Sequence, residues 1–123
     1  MATYTNSFMT IPTGLMASGD LSAKQYHVVK MASTAGRVVA VNATTDTAIG
    51  VLQNDPTDGQ AALVAGLGYV KAVSGTSVLA AGTAVGFNTT GRLATGNAKT
   101  IGQTITAATA IGDIVTIQLR GLQ

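Results

Sequence analysis

The stretch Gly91-Arg92-Leu93 repeats Gly36-Arg37-Val38 from the first half of the chain, and the residues around each stretch keep the same order. The first copy comprises Leu21-Ser22-Ala23, Gly36-Arg37-Val38, Ala48-Ile49-Gly50, Gly59-Gln60 and Ala61-Ala62-Leu63-Val64. The second comprises Leu79-Ala80-Ala81, Gly91-Arg92-Leu93, Thr100-Ile101-Gly102, Gly112-Asp113 and Ile114-Val115-Thr116-Ile117. Self-similarity at a nearly constant spacing indicates a duplicated structural unit.

Each copy reads as short strands separated by turns. Ile114–Leu119 alternates, with Val115, Ile117 and Leu119 on one face, which is typical of a half-buried strand. Gly36 and Gly91 stand where a hairpin turn needs a positive φ. Regular short strands with frequent turns predict an all-β fold, a small β-barrel or sandwich built from two pseudo-repeated β units.

We predict that residues 1–18 form an extended N-terminal arm and that residues 19–123 form the β body. Pro12 and Gly14 exclude a continuous helix in the arm. A frayed terminus is the ordinary state of a chain end, but this segment carries unusually many large apolar side chains. We therefore expect the arm to dock on a neighbouring protein. The candidate contacts are Tyr4, Phe8, Met9, Ile11, Leu15 and Met16.

The composition narrows the classes of function. The 123 residues fit one domain, and the shortage of large core residues (4% aromatic, no Trp) favours an oligomer that buries further surface. Charged residues are 10%, and the seven Lys and Arg are scattered along the chain, so we expect no nucleic-acid partner. No apolar run is long enough for a transmembrane helix, so we expect no membrane partner.

No motif predicts catalysis, a cofactor or a metal site. His27 lies alone in an apolar run, and Asp55 and Asp58 lack the further acidic ligands of a calcium loop in a chain without Glu. Gly66-Leu67-Gly68 fits a strand turn or a bulge better than a nucleotide-binding loop. We therefore expect a protein that is not an enzyme. Arg37 and Arg92, at equivalent turns, are either solvent-exposed turn residues or partner contacts.

The second copy also carries a family resemblance. Leu79-Ala80-Ala81-Gly82 leads through a valine strand, a Gly-Arg turn, Ile-Gly and a Gly-acidic turn to the closing strand Ile114–Leu119. Over residues 19–123 this order resembles the small capsid cement, or decoration, proteins of tailed bacteriophages. Gln60 departs from the pattern, because an acidic residue is common at that place.

The resemblance implies a β-barrel-like homotrimer on the outer capsid surface of a virion. Such a protein would bind the major capsid protein and neighbouring cement subunits, and would stabilise the capsid by bridging its subunits. Two alternatives stay open. One is another phage β-structural or adhesin module, such as a head-fibre base or a tail-associated part. The other is a small ligand-binding barrel.

Overall fold

The computed structural model describes the backbone of residues 7–10 and the whole of residues 14–96 and 99–120. Within these ranges the chain forms β-strands and turns and no helix. None of the described residues therefore belongs to a helix that could cross a membrane. The all-β class is confirmed. The strands are β1 Ser7–Thr10, β2 Met16–Ala17, β3 Val28–Met31, β4 Arg37–Ala40, β5 Ala48–Leu52, β6 Val64–Val73, β7 Ala84–Phe87, β8 Leu93–Ala94, β9 Gly102–Thr104 and β10 Ile114–Leu119.

The duplicated sequence forms two units of identical topology. Strand order in the first is β4-β3-β5-β6, and in the second it is β8-β7-β9-β10. The two units join where β6 and β10 pair antiparallel, from Val73 opposite Ile114 to Gly68 opposite Leu119. The antiparallel pairing of β6 with β10 therefore joins the two units within one continuous sheet.

The strand registers agree with the sequence repeat residue by residue. Val29 lies opposite Gly50 in the first unit, and Val85 lies opposite Gly102 in the second. The predicted hairpin glycines also match, since φ is +74° at Gly36 and +84° at Gly91. The repeat is therefore a repeat of backbone geometry as well as of residue types.

The long strand β6 passes from one unit into the other. Ala65 lies between β5 and β1, and Gly68 lies between β1 and β10. β5 and β10 consequently share one edge of β6, and β1 occupies the opposite edge. Gly66 is the extra residue at the register shift against β1, so the predicted bulge is confirmed.

The described sheet is open and sandwich-like. Its path runs from β2 at one end to β8 at the other, and these end strands do not pair. Of the two predicted architectures, the sandwich therefore describes the fold and the closed barrel does not. β1 and β2 lie within the segment predicted as the arm, and they pair with β6 and β4 of the same chain.

The core consists of two clusters of small and medium apolar side chains. One cluster belongs to the first unit and comprises Ala17, Leu21, Val29, Val38, Leu52 and Val64. The equivalent positions of the second unit are Ser74, Leu79, Val85, Leu93, Thr104 and Ile117, all of them buried. The apolar members of this second set join Val28, Val51 and Phe87 in a larger cluster that spans both units.

Candidate interaction surface

His27 is a buried structural residue. Its side chain is 5% exposed, and Nδ1 lies 3.0 Å from the carbonyl oxygen of Gln25. Burial lowers the pKa of the imidazole, and the positive charges of Lys24 and Arg92 act in the same direction. In the described part of the chain, the buried imidazole contacts the Gln25 carbonyl and has no carboxylate partner.

Asp58 and Asp113 both accept hydrogen bonds within the chain. Asp58 Oδ1 accepts hydrogen bonds from the Gly19 N–H (2.8 Å) and from Arg37 (3.3 Å). Asp113 accepts the N–H groups of Thr109 and Ala110, which lowers its pKa. Over the residues described, no three His or acidic side chains converge on a point that could hold a metal ion.

Most of the predicted arm contacts lie beyond what the structure describes. Tyr4 and Ile11 are outside the described residues, and of Phe8 and Met9 only the backbone in β1 is described. Leu15 is half-buried against the core of the first unit, and Met16 is 37% exposed beside it. Of the six arm residues, Met16 alone is therefore placed on the described surface.

Arg37 is brought to Met16 by the parallel pairing of β2 with β4, in which the two residues are partners. Its guanidinium also donates to the carbonyl oxygen of Ala17 (3.0 Å) and forms an ion pair with Asp58. Arg37 thus ties β2 and the β5–β6 loop to the hairpin, and its charge is largely committed within the chain.

Arg92 occupies the equivalent turn in different surroundings. The position of Asp58 is taken in the second unit by Ile111, because Gly112 corresponds to Gly59. Arg92 is half-buried and forms no ion pair within the described ranges. It lies instead beside the turn that precedes β3, where the Gly91 carbonyl accepts the Val28 N–H at 2.8 Å.

That turn contains the one non-glycine residue with a positive φ among those described, Tyr26 at +67°. The side chain is half-buried, and Lys71 Nζ lies 6.0 Å from the centre of the ring. The Tyr26 carbonyl also accepts the Val73 N–H at 3.1 Å. The turn therefore lies along the same edge of β6 as β1, past the end of β1. Tyr26 is therefore held firmly in a conformation that bulky residues avoid.

Two further groups of exposed apolar side chains lie on β6 and in the second unit, apart from Met31 and Leu63 in the first. Leu67 (44% exposed) and Tyr69 (38%) alternate along the outer face of β6. At the far end of the second unit, Val78, Ile111 and Ile114 are 74%, 61% and 48% exposed. The first unit has Asp20, Asp58 and Ala61 at the matching positions, so the two ends of the molecule differ in chemistry.

The sequence prediction did not include Tyr26, Lys24 or Lys71. A signal for Tyr26 is present in the repeat, because Gly82 stands at the equivalent position and has φ +81°. Aligning the two copies through the turn would have flagged a tyrosine where the backbone favours glycine. The proximity of Lys71 to Tyr26 has no such signal, because it arises from strand pairing across 45 residues.

No protein-family model and no curated protein sequence matches the chain. Among solved structures, it is similar to the N base of the head fiber protein gp8.5 of bacteriophage phi29. The TM-score is 0.70 with 17% sequence identity, and the match covers 94% of this chain and 98% of the phi29 chain. At this identity the likeness establishes a shared fold over nearly the whole of both chains.

Proposed function

We propose that the chain is a structural protein of a phage virion that binds the outer surface of the head and has no enzymatic role. The observation that carries this proposal is the fold shared, over nearly the full length of both chains, with the base of a phage head fibre. The resemblance of the second sequence copy to capsid cement proteins points to the same particle independently. Both lines of support concern the fold and the surface of the protein. This agrees with the polar side chains described above, which form hydrogen bonds in turns and in the core.

In the finer form of the proposal, the chain cements the shell. It binds the major capsid protein as a homotrimer, touches neighbouring cement subunits and bridges capsid subunits. The core consists of small and medium apolar side chains, the largest fully buried one being Phe87, so further burial between copies would add stability. Several weak contacts linked in one trimer raise the total avidity by orders of magnitude.

The contact residues in this proposal come from the N-terminal segment and the equivalent turns. Tyr4, Phe8, Met9, Ile11, Leu15 and Met16 would supply apolar contact, and Arg37 and Arg92 polar contact. Arg92 is the better placed of the two arginines, because Arg37 is already paired with Asp58.

A second candidate is the base of a head fibre. The phi29 structure favours it, since that chain is itself described as a head-fibre base. A base anchors a longer appendage to the head, whereas a cement protein reinforces the shell, so the two roles differ in their effect on capsid strength.

The test uses DNA-filled heads purified from a mutant of the encoding phage that lacks this protein. Recombinant chain is added, and bound copies are counted after sedimentation and located by cryo-electron microscopy. We expect saturable binding on the outer surface; failure to sediment with the heads would contradict the proposal.

Heating the same heads separates the two finer roles. A cement protein should raise the temperature at which DNA is released, because the bridges must break before subunits separate. A fibre base should leave that temperature unchanged while still occupying outer-surface sites.

A further inference from the structure

Three cationic residues belong to the turn before β3 or lie beside it. Lys24 belongs to the turn, and its carbonyl oxygen accepts the His27 N–H at 3.0 Å. Arg92 follows Gly91, whose carbonyl accepts the Val28 N–H. Lys71 reaches the Tyr26 ring from β6. We call Lys24, Tyr26, Lys71 and Arg92 the basic turn surface.

The cations of the basic turn surface have no carboxylate partner within the described ranges, where the two ion pairs are Lys30–Asp46 and Arg37–Asp58. Asp20 and Asp113 accept backbone N–H groups of their own turns. The charges that act on the nearby His27 are both positive, those of Lys24 and Arg92. Among the described residues, the positive charges of Lys24, Lys71 and Arg92 are therefore not taken up by ion pairs.

Tyr26 is a second and independent mark of this surface. Its N–H donates to the carbonyl oxygen of Leu52 at 2.6 Å, as the Gly82 N–H does to Thr104 at 2.8 Å in the second unit. Both residues have a positive φ, which glycine adopts freely and tyrosine does not. The turn needs no side chain, as Gly82 demonstrates. Strained residues that a fold does not require occur preferentially at functional sites.

We propose that the basic turn surface binds an acidic segment of a partner protein, with Tyr26 as the aromatic anchor and Lys24, Lys71 and Arg92 as carboxylate partners. Tyr and Arg are enriched among residues that dominate binding energy in protein interfaces. This inference does not require the proposed function. If the partner is the phage head, its surface must offer an acidic segment at this contact.

Nucleic acid is the competing ligand for a basic surface with an aromatic residue. Binding of single strands needs a charged groove and open ring faces on which successive bases stack. Here the ring is half-buried, and Lys71 Nζ lies 6.0 Å from its centre. The geometry therefore favours carboxylates that reach the cations while apolar atoms contact the ring.

The experiment titrates the ¹⁵N-labelled full chain with a hexaglutamate peptide at low salt, and in parallel with an oligothymidine of equal charge. We expect amide shifts confined to residues 24–28, 69–73 and 91–93, with weaker binding of the oligothymidine. Shifts centred elsewhere, or no saturable shifts, would overturn the proposal. Tighter binding of the oligothymidine would assign the surface to nucleic acid instead.

Single substitutions show whether the peptide recognises the basic turn surface or only the net charge of the chain. Lys71→Gln and Arg92→Gln should each weaken peptide binding roughly 5- to 30-fold. Lys99→Gln removes the same charge from a side chain that donates to the Thr45 and Asp46 carbonyls, and it should leave affinity nearly unchanged. Equal losses in all three variants would mean that only net charge matters, and the assigned surface would be wrong.

Tyr26→Ala and Tyr26→Gly separate binding from folding. Both remove the ring and should weaken binding to a similar extent. Glycine also relieves the positive φ, so Tyr26→Gly should unfold at a higher urea concentration than Tyr26→Ala. If Tyr26→Gly regains peptide binding that Tyr26→Ala lacks, Tyr26 is a structural residue and not an anchor.

The same variants added to heads keep this inference separate from the proposed function. Failure of the wild-type chain to bind heads would refute the proposed function, and the peptide titration would still decide the inference. Normal head binding by Tyr26→Gly and Arg92→Gln would exclude the basic turn surface from the head contact.

Discussion

Two glycines, Gly50 and Gly102, show at the scale of single residues why the repeat is preserved in the sequence. They are equivalent members of the two units, in β5 and β9. A Cβ on Gly50 would overlap the carbonyl oxygen of Ala65, and one on Gly102 would overlap that of Gln118. Both glycines let the next strand approach closely, so the requirement comes from backbone spacing and not from a turn.

We predict that Gly102→Ala lowers the free energy of unfolding by at least about 2 kcal/mol, because the overlap with strand backbone forces β9 and β10 apart. Gly36→Ala is the control: it has open space around its Cβ position but a positive φ, and should cost about 1 kcal/mol. Urea unfolding followed by circular dichroism measures both. Equal losses would show that close approach is not what matters at Gly102.

His27 predicts a dependence of stability on pH. Burial holds its pKa below the ordinary 6.5, so the folded state resists a proton that the unfolded chain accepts. Stability should therefore fall as pH drops below about 6.5, by at most about 1.4 kcal/mol per pH unit, until the folded imidazole also titrates.

Unfolding in urea between pH 7.5 and 5 tests this dependence, with His27→Gln as the reference. The pKa values of Asp20, Asp46 and Asp113 are lowered from 3.8, so their stabilising contributions are lost only at more acidic pH. The slope above pH 5 should be much smaller in His27→Gln. An unchanged slope would mean that another group controls stability in this range.

At the scale of strands and turns, the two units fill equivalent core positions with different kinds of side chain. Leu52 fills the core of the first unit, and the equivalent Thr104 of β9 is 1% exposed. The Thr104 hydroxyl accepts the Thr83 N–H at 2.9 Å and donates to the Ala80 carbonyl at 2.7 Å. Two hydrogen bonds thus stabilise the loop before β7 in the second unit. The equivalent Leu52 of the first unit makes apolar contacts instead.

We predict that Thr104→Val destabilises the fold by about 1–3 kcal/mol, because it leaves the Thr83 N–H without its partner and removes one of the two hydroxyl donors to the Ala80 carbonyl. Thr116→Val on β10 is the matched control, since its side chain is half-buried and its hydroxyl forms no hydrogen bond in the described ranges. Its effect should stay within about 0.5 kcal/mol. Thermal melts compare the two, and equal melting temperatures would contradict the assigned role of the hydroxyl.

Across the whole molecule, the two units are joined too closely to fold separately. β6 carries β5 of the first unit and β10 of the second on the same edge. The larger core cluster mixes Val28 and Val51 with Phe87, Leu93 and Ile117. Disrupting either unit therefore removes core surface from the other.

We predict a single cooperative unfolding transition despite the duplicated sequence. Tyr26 and Tyr69 lie beside the junction of the units, so tyrosine fluorescence and far-ultraviolet circular dichroism should give coincident urea curves. Two separated transitions, or curves that differ between the probes, would show that the units unfold independently.

Much of the architecture was predictable, because it depends on local geometry. The alternation in Ile114–Leu119 and the positive φ at Gly36 and Gly91 are short-range requirements that leave a direct mark on residue choice. The close approach at Gly50 and Gly102 also left its mark, as the Ile-Gly pair in each copy. The choice between barrel and sandwich was not predictable, since it depends on whether distant end strands meet.

The interaction surface was much less predictable. Arg92 was recognised by its turn, but its freedom from an ion pair follows from Ile111 replacing the acid at a position distant in sequence. Lys24, Lys71 and Arg92 look scattered along the chain. Hydrogen bonds from Val73 to Tyr26 and from Val28 to Gly91 bring Lys71 and Arg92 to the turn that contains Lys24.

The sequence alone determined a duplicated all-β body, because the glycines, turns and alternating strands that build each unit act over a few residues. Only the tertiary structure decided how the units join through β6 and β10, and which charges meet on the surface. Those outcomes depend on contacts between residues far apart in the chain, which no local pattern encodes.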